Sequence, residues 1–454
     1  MLKYAVFLSF ITIFGFLIKK DRIYVVPMIL IIFSNINGLL SWEDFALKGL
    51  IKFQDYGLIL TFIILFFEKL KLKPAESGYS KDAGGSALFI MVQIYWFYYI
   101  GLFVFSIAIQ GSIEWPVKMG RMFFYGWIFF LIYIKLLPNP IVNYNKIINC
   151  LMWTTLIFAV LYACYNLLGW KIYPKEEHEV FNLSGFDEVK RNFSGFPTFA
   201  YYFIFLFTNR LMTGEGNKIL NLSGLVLLLL CVMLMLTRGT TILTALLLMF
   251  TVLYRKLSPV ALGRLTILVM ALFIAVPLIM IFAEGHYQAL LLRFTEVSNT
   301  GLNQSFTMQV RANEFYRIIK NVMDFDPLFG FGFTAVGAFG YQSSLIHGGS
   351  ADNGFSNLIG TTGFVGLIIF ILLMLFWVSV NIRLQMLKAE SYSKVNFIFM
   401  IFMMGSFMNG SSMSYMHAYA LFMAYDLLAL AYFKNINKKL LLNPLNKFNA
   451  TIAS

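Results

Sequence analysis

Charged residues are scarce in this chain. Only 13% of its 454 residues are Asp, Glu, Lys or Arg, whereas soluble domains are about a quarter charged. Apolar residues make up 59%, and the mean hydropathy is +0.75. Uncharged runs of bilayer-spanning length recur from end to end, which is typical of membrane-crossing α-helices. The runs are continuously apolar rather than alternating, which excludes the strand pattern of a β-barrel.

Cysteine is also rare, and nucleotide-binding motifs are missing. The three cysteines all fall inside apolar runs, which predicts small buried hydrophobes and no disulfide framework. No phosphate loop, nucleotide fold or zinc motif occurs, which argues against an ATP-driven pump. The cluster at 175–179 holds one histidine without a second His or Cys partner, which is weak evidence for a metal site. We therefore expect neither a cofactor nor a metal.

The long apolar runs define the predicted fold. It is an all-α polytopic membrane protein with about 12–13 transmembrane helices. The count is a range because the short first and third runs could be re-entrant or interfacial. No internal repeat or soluble domain is evident, so residues 1–454 are interpreted as one integral membrane domain. The predicted spans are 4–18, 23–40, 54–67, 86–109, 120–137, 147–169, 197–212, 218–236, 239–254, 264–283, 356–378, 395–411 and 416–433.

Positive charge is concentrated in short connectors between these spans. The net charge of +13 therefore indicates membrane orientation rather than nucleic-acid binding. The basic connectors are predicted to be cytoplasmic, and the connectors between them to face outside. Two outer connectors are long and net acidic, 170–197 and 284–355, and the second is predicted to be partly helical and to carry the active site. This count places the N-terminus outside.

Three arginines lie on the predicted outer side, where arginine is under-represented. Arg191 precedes one span, Arg238 lies in the tight turn LTRGTT, and Arg311 lies in the large loop. Arginine is always charged, and its planar fork of donors matches phosphate oxygens. Together the three would suit a pyrophosphate-linked lipid. The alternative for each is a snorkelling or solvated side chain.

Helical periodicity separates Arg311 from its neighbours. If 309–323 is helical, Arg317 and Lys320 point to solvent, but Arg311 lies on an apolar stripe and needs an anion. Glu314 is the local alternative partner. Arg317 stays a substrate-binding candidate. The apolar residues on the stripe are Phe315, Ile318 and Val322.

Candidate acids and bases lie near the end of the large loop. Asp352 follows a Gly-rich stretch and could accept a proton from an attacking sugar hydroxyl as general base, or simply cap the next helix. His347 could serve the same substrate. Asp426 lies near the middle of the last span, where a carboxylate is either functional or paired within the bundle.

The order of these motifs resembles the O-antigen polymerase/O-antigen ligase superfamily. The turn LTRGTT lies between neighbouring spans, and a long outer loop with an Arg-bearing helix follows. After the helix come DFDPLFGFGFTAVGAF and ADNGFSNLIGTTGFVGLIIF, which complete a resemblance over roughly 191–376.

This resemblance implies metal-independent glycosyl transfer at the outer face of a bacterial inner membrane. The donor would be an undecaprenyl-pyrophosphate-linked glycan, with Arg191, Arg238 and Arg311 holding the pyrophosphate. Ligases of the family place a histidine before an asparagine where this chain has Asp352 and Asn353. That departure favours a polymerase of lipid-linked repeat units in lipopolysaccharide or other surface polysaccharide biosynthesis. The expected partners are the lipid-linked oligosaccharide, membrane lipids and a chain-length regulator.

Three alternatives stay open at this point. One is a ligase that transfers the glycan to lipid A core, and His347 leaves room for that alignment. A lipid-linked oligosaccharide flippase would need a polar cavity through the bilayer, whereas the spans here hold almost no charge. A scaffolding membrane protein would leave the outer arginines without a role.

Overall fold

The chain folds into twelve described α-helices and one short β-hairpin. The computed structural model describes residues 2–34, 36, 39, 55–57, 59, 63, 86–111, 113–136, 140–170, 172–173, 178–181, 189–192, 195–253, 263, 266, 284–285, 287–289, 291–292, 295, 306–333, 354–387, 391–406 and 416–442. The helices in the first half are α1 Leu2–Lys20, α2 Val25–Phe33, α3 Ala87–Gln110, α4 Glu114–Leu136 and α5 Pro140–Leu168. The strands β1 His178–Phe181 and β2 Val189–Asn192 follow, and then α6 Ala200–Thr213, α7 Lys218–Leu234, α8 Arg238–Leu253, α9 Phe306–Phe325, α10 Gly354–Met386, α11 Ser391–Ser406 and α12 Met416–Leu442.

The helices begin and end at residues that satisfy their terminal backbone groups. The Ser86 hydroxyl accepts from the Phe89 amide (3.2 Å) at the start of α3. Gly111 adopts a left-handed conformation at the end of α3, where its amide donates to Ile107 (2.9 Å). Asn217 caps α7 in the same way as Ser86 caps α3. These are the residue types that helix ends favour.

The buried side chains form one continuous apolar core through the bundle, from Phe10 in α1 to Leu430 in α12. The outward surface is apolar as well. On α3, four exposed residues recur at helical spacing along one stripe: Ile90, Ile94, Phe97 and Val104. A stripe of this kind would cost free energy in water but is stable against lipid tails.

The structure confirms the predicted all-α membrane fold. Within the described residues, three helices are long and apolar enough to cross a bilayer, and they lie at Ala87–Ile109, Pro140–Leu168 and Leu358–Met386. Shorter apolar helices accompany them at Arg22–Phe33, Phe123–Ile134, Lys218–Leu234 and Gly239–Val252. Five predicted spans agree with a helix to within three residues at both ends: 4–18, 86–109, 197–212, 218–236 and 239–254. Six others overlap a helix but differ from it by five to nine residues at one end. The structure describes five of the fourteen residues of the predicted span 54–67 and one residue of 264–283, so the count of 12–13 stays a prediction.

Three local features differ from the sequence-based expectation. α2 ends at Phe33 rather than near residue 40, because Ser34 turns back to Ile31 (2.7 Å) and Ile36 has a φ of 50°. The connector 170–197 contains the antiparallel pair β1–β2. Of the three free cysteines only Cys231 is buried, whereas Cys150 and Cys164 are partly exposed.

Side-chain contacts between helix ends define one end of the bundle. At one end, Lys146 pairs with Asp21 (2.5 Å), and Tyr392 bonds both Asn145 and Arg210. These contacts join the starts of α5 and α11 to the ends of α1 and α6. We call this the basic end. The opposite end carries the ends of α3, α5 and α7 and the starts of α4, α6, α8 and α10, and we call it the loop end.

Candidate active site

The α7–α8 turn places Arg238 at the first residue of a helix at the loop end. Three residues, 235–237, separate the two helices, so the predicted tight turn is confirmed. Leu236 is buried with a φ of 53°, a strained conformation for a branched residue that costs about 1–3 kcal/mol. Such strain is often found at functional sites.

The start of α8 offers polar groups beside Arg238. The Thr237 hydroxyl bonds the hydroxyl of Thr240, and its carbonyl accepts from Thr241 (3.1 Å). A helix start also carries partial positive charge and unpaired amides, which favour anions. The side chain of Arg238 lies outside the described residues, so its predicted contact with phosphate stays a prediction.

α9 has the two faces that its periodicity predicted. Ile318 and Val322 are buried in a small cluster with Phe331 and Ile359 of the following segment. Arg317 and Lys320, on the other side, are exposed. The predicted helix over 309–323 is therefore confirmed as part of a longer one. Arg311 precedes Ile318 by seven residues on the helical backbone, but its side chain and that of Glu314 lie outside the described residues.

A turn at residues 326–333, which we call the docking turn, joins α9 to the helix that follows the large loop. α10 is broken at Gly363, whose φ is 63° and ψ −170°. A break of this kind frees backbone groups that must be satisfied elsewhere. The Phe331 amide donates to the Gly360 carbonyl (2.7 Å), and the Phe364 amide donates to the Pro327 carbonyl (2.9 Å). The docking turn thus supplies partners for two backbone groups at the break in α10.

α3 holds the docking turn from the other side. The Tyr98 hydroxyl lies within donor range of the Leu328 carbonyl (3.1 Å) and of the Thr362 carbonyl. The Ser106 hydroxyl accepts from the Phe333 amide (2.7 Å). These bonds fix the end of α9 against α3 and α10. They were not foreseen from the sequence, because they join residues more than 200 positions apart.

Arg191 lies on a different element from the other two arginines. Its backbone is in β2, and its register partner is Glu179 of β1. The hairpin is tethered to the bundle by Tyr173, whose hydroxyl donates to the Gly195 carbonyl (3.4 Å) and whose ring packs against Tyr165 of α5. A side chain at Gly195 would collide with that ring. The hairpin therefore emerges at the loop end, beside the end of α5.

Asp352 and His347 lie outside the described residues. α10 begins at Gly354, two residues after Asp352. Both interpretations of Asp352, as general base and as helix cap, therefore stay open. Arg191, Arg238 and Arg311 are carried by the hairpin, by α8 and by α9, so the loop end holds all three backbones. Their side chains lie outside the described residues, so the predicted convergence of the three guanidinium groups stays a prediction.

Two buried charged groups were not settled by the sequence analysis: the ion pair of Arg121 was not predicted, and the role of Asp426 was left open. Arg121 near the start of α4 pairs with Asp55 (2.8 Å), and the arginine side chain is 5% exposed. Nothing in the local pattern indicates this pair. Asp426 accepts hydrogen bonds from Trp377 (2.7 Å), Asn381 (3.0 Å) and Asn396 (2.9 Å). Of its two interpretations, the structure favours the paired, structural one.

The described residues also bear on metal binding. Among them, no group of three His, Cys, Asp or Glu side chains is arranged to hold an ion. The cluster at 175–179 falls outside the described residues except for His178 and Glu179, of which the structure describes the backbone.

Comparison with known proteins adds one family. Residues 223–371 match the sequence model of a family described as O-antigen ligase, which is about a third of the chain. The match begins in α7, runs through α8, α9 and the docking turn, and ends in α10. No curated protein matches the chain. Over residues 223–371 the chain is therefore similar to the O-antigen ligase family, which is consistent with the superfamily that its motifs resemble.

Proposed function

We propose that this protein is a polysaccharide repeat-unit polymerase. It would transfer an undecaprenyl-pyrophosphate-linked glycan onto a sugar hydroxyl of another lipid-linked repeat unit. The observation that carries the proposal is that the family match at residues 223–371 spans Arg238, Arg311 and Asp352, the three residues proposed for the chemistry. The proposed setting is the periplasmic side of a bacterial inner membrane, with the loop end outside.

The proposed reaction is a displacement at the anomeric carbon of the donor glycan. The acceptor hydroxyl oxygen forms a bond to that carbon, and the bond from the carbon to the pyrophosphate oxygen breaks. The pyrophosphate-linked lipid leaves with the electron pair, and the hydroxyl proton passes to the Asp352 carboxylate. Arg238 and Arg311 stabilise the negative charge that develops on the leaving group. No metal or nucleotide takes part in this scheme.

Arg191, Arg317 and His347 have supporting roles in this proposal. Arg317 is exposed on α9, and with the other two it would contact the glycan or the diphosphate. Arg191 lies outside the matched residues, so its role has less support than that of Arg238. A chain-length regulator remains the proposed protein partner.

The polymerase is favoured over the ligase because an aspartate and not a histidine precedes Asn353. An acceptor assay separates the two reactions. Purified protein in proteoliposomes would receive lipid-linked repeat units, with or without lipid A core. We expect a ladder of elongated lipid-linked chains that does not depend on lipid A core. Glycan transferred only to lipid A core would identify a ligase, and no transfer to either acceptor would contradict both enzymes.

The role of Asp352 is tested in the same assay with Asp352→Asn. This variant keeps a helix-capping side chain but removes the base. We expect turnover to fall by about 100-fold or more, the range for loss of a general base. Unchanged turnover would show that Asp352 is not the general base and would leave only its role as a helix cap.

A further inference from the structure

The exposed surface of α9 and the docking turn is divided into two flanks of different chemistry. Tyr316 is 74% exposed, and Met323 and Leu328 are each 57% exposed. Tyr316 and Met323 are seven residues apart and therefore share one stripe of the helix. We call these three residues the apolar flank. The other exposed residues described on α9 and the docking turn are the polar Asn313, Arg317, Lys320 and Asp324, which we call the polar flank, and the small apolar Ala312 and Pro327.

The docking turn lies deep along α3. The Phe329 ring stacks on Tyr98 at a centroid distance of 6.0 Å and contacts Phe105 at 5.0 Å. The apolar span of α3 ends at Ile109. At a rise of about 1.5 Å per residue, Tyr98 and Phe105 lie roughly 16 and 6 Å before that end. Half of a hydrocarbon layer is about 15 Å thick, so the turn packs along the apolar span of α3 rather than beyond its end.

The apolar flank is also continuous with the surface that faces lipid. Phe97, next to Tyr98, is 67% exposed on the lipid-facing stripe of α3. On the other side of the turn, α10 exposes Ile368 and Ile371 a few residues beyond the break at Gly363. Leu328 therefore lies between two helix surfaces that contact the bilayer.

Most backbone amides of the docking turn have partners within the protein. At membrane depth, irregular backbone occurs only where it is buried in protein or lines a water-filled cavity, because its polar groups must be satisfied there. The Asp326 carboxylate accepts from the Leu328 and Phe329 amides (both 2.9 Å). The Gly330 amide donates to the Asp326 carbonyl (2.8 Å). With the bonds to Gly360 and Ser106 already described, the amides of residues 328–331 and 333 all have partners.

We propose that the end of α9 and the docking turn form a re-entrant element whose apolar flank contacts lipid acyl chains. The large loop is then anchored in the bilayer as well as in the protein. Its polar flank, on the side away from lipid, faces the aqueous part of the loop end. This inference depends on packing, exposure and depth alone, and it holds whichever glycan-transfer reaction the protein performs.

Lipid contact is measurable with single cysteines on the two flanks. In full-length protein with its three native cysteines replaced by alanine, Leu328→Cys and Met323→Cys report on the apolar flank. Asn313→Cys and Asp324→Cys are matched controls on the same helix. Each is labelled with bimane and reconstituted into phosphatidylcholine vesicles that contain doxyl-labelled lipid. We expect the lipid quencher to reduce fluorescence severalfold more at 328 and 323 than at 313 and 324, and iodide to show the opposite order.

Two outcomes would overturn the proposal. Equal quenching by iodide at 328 and 313 would place the turn in water. Protection of 328 and 323 from both quenchers would mean that protein, a partner or a second copy, covers the flank. Photolabelling of the unsubstituted protein with a diazirine lipid provides a test without variants. Labels are expected on the peptide that contains Met323 and Leu328, and labelling confined to α3 and α10 would contradict the inference.

Discussion

At the scale of residues, two glycines allow the docking turn to approach the break in α10 closely. Gly330 and Gly363 both have a φ of 63°. A Cβ at Gly330 would lie 2.6 Å from the Gly360 carbonyl oxygen, and one at Gly363 would lie 2.3 Å from the Leu328 carbonyl oxygen. Both obstacles are backbone atoms that cannot move aside. Glycine is therefore required at 330 and 363 for a steric reason that is independent of catalysis.

We expect Gly330→Ala to detach the docking turn from α10. The strained φ and the collision should together cost at least about 2 kcal/mol. The measurement is hydrogen exchange of the peptide that covers 326–333, which should lose protection, together with the melting temperature of the purified protein. Gly101→Ala is the matched control, because a Cβ at Gly101 meets nothing within 4 Å. Equal protection in both variants would contradict the steric account.

At the scale of elements, most helices could be predicted because continuous apolar runs leave few alternatives in a membrane. α3 was expected at 86–109 and is found at Ala87–Gln110. The break at Gly363 could not be predicted. It depends on bonds from the docking turn, which is distant in sequence, and glycine within a span has no single meaning. The hairpin β1–β2 was missed because its strands are short and polar.

The candidate site was predictable to a similar degree. The tight turn before Arg238 and the faces of α9 followed from local spacing, since a helical stripe is read directly from the sequence. The hydrogen bonds of Tyr98 and Ser106 with the docking turn could not be predicted in this way, because the sequence of α3 gives no sign that a distant loop packs against it. The ion pair of Arg121 and Asp55 was missed for the same reason.

The link between α1 and α5 at the basic end should depend on pH. A hydrogen bond from Lys146 lowers the pKa of the Asp21 carboxyl below its ordinary value. A lowered pKa in the folded state stabilises the protein above the unfolded pKa of about 4, and this contribution is lost as pH falls through the folded value. Both partners are partly exposed, so solvent screens the pair and its contribution is small.

We therefore expect Asp21→Asn to lower the melting temperature slightly at pH 7, and the difference from wild type to shrink at pH 3. Melting curves in one detergent at both pH values provide the measurement. A difference that is unchanged at pH 3 would show that the charge of Asp21 is not its source.

At the scale of the whole molecule, a buried polar network joins five helices. Asp426 of α12 accepts from Trp377 and Asn381 of α10 and from Asn396 of α11. The side-chain oxygen of Asn396 in turn accepts from Tyr144 of α5 (3.0 Å) and Tyr202 of α6 (3.1 Å). The network thereby ties the helix that follows the large loop to the rest of the bundle.

Removal of the carboxylate should destabilise this whole arrangement. Asp426→Ala leaves three buried N–H donors without an acceptor, which costs about 3–5 kcal/mol. We expect a large fall in melting temperature or in the yield of monodisperse protein. Asp324→Asn, at an exposed position of α9, is the control and should melt as wild type does. If Asp426→Ala also melted as wild type does, the network would have no structural role.

The central claim is that arginines at the loop end hold the diphosphate of a lipid-linked glycan. The most direct measurement is chain elongation by Arg238→Ala and Arg311→Ala in proteoliposomes, with Lys320→Ala as a control cation on the exposed side of α9. We predict that both arginine variants remain in the membrane but make no long polymer, whereas Lys320→Ala elongates normally. Full-length polymer from either arginine variant would contradict the claim for that residue.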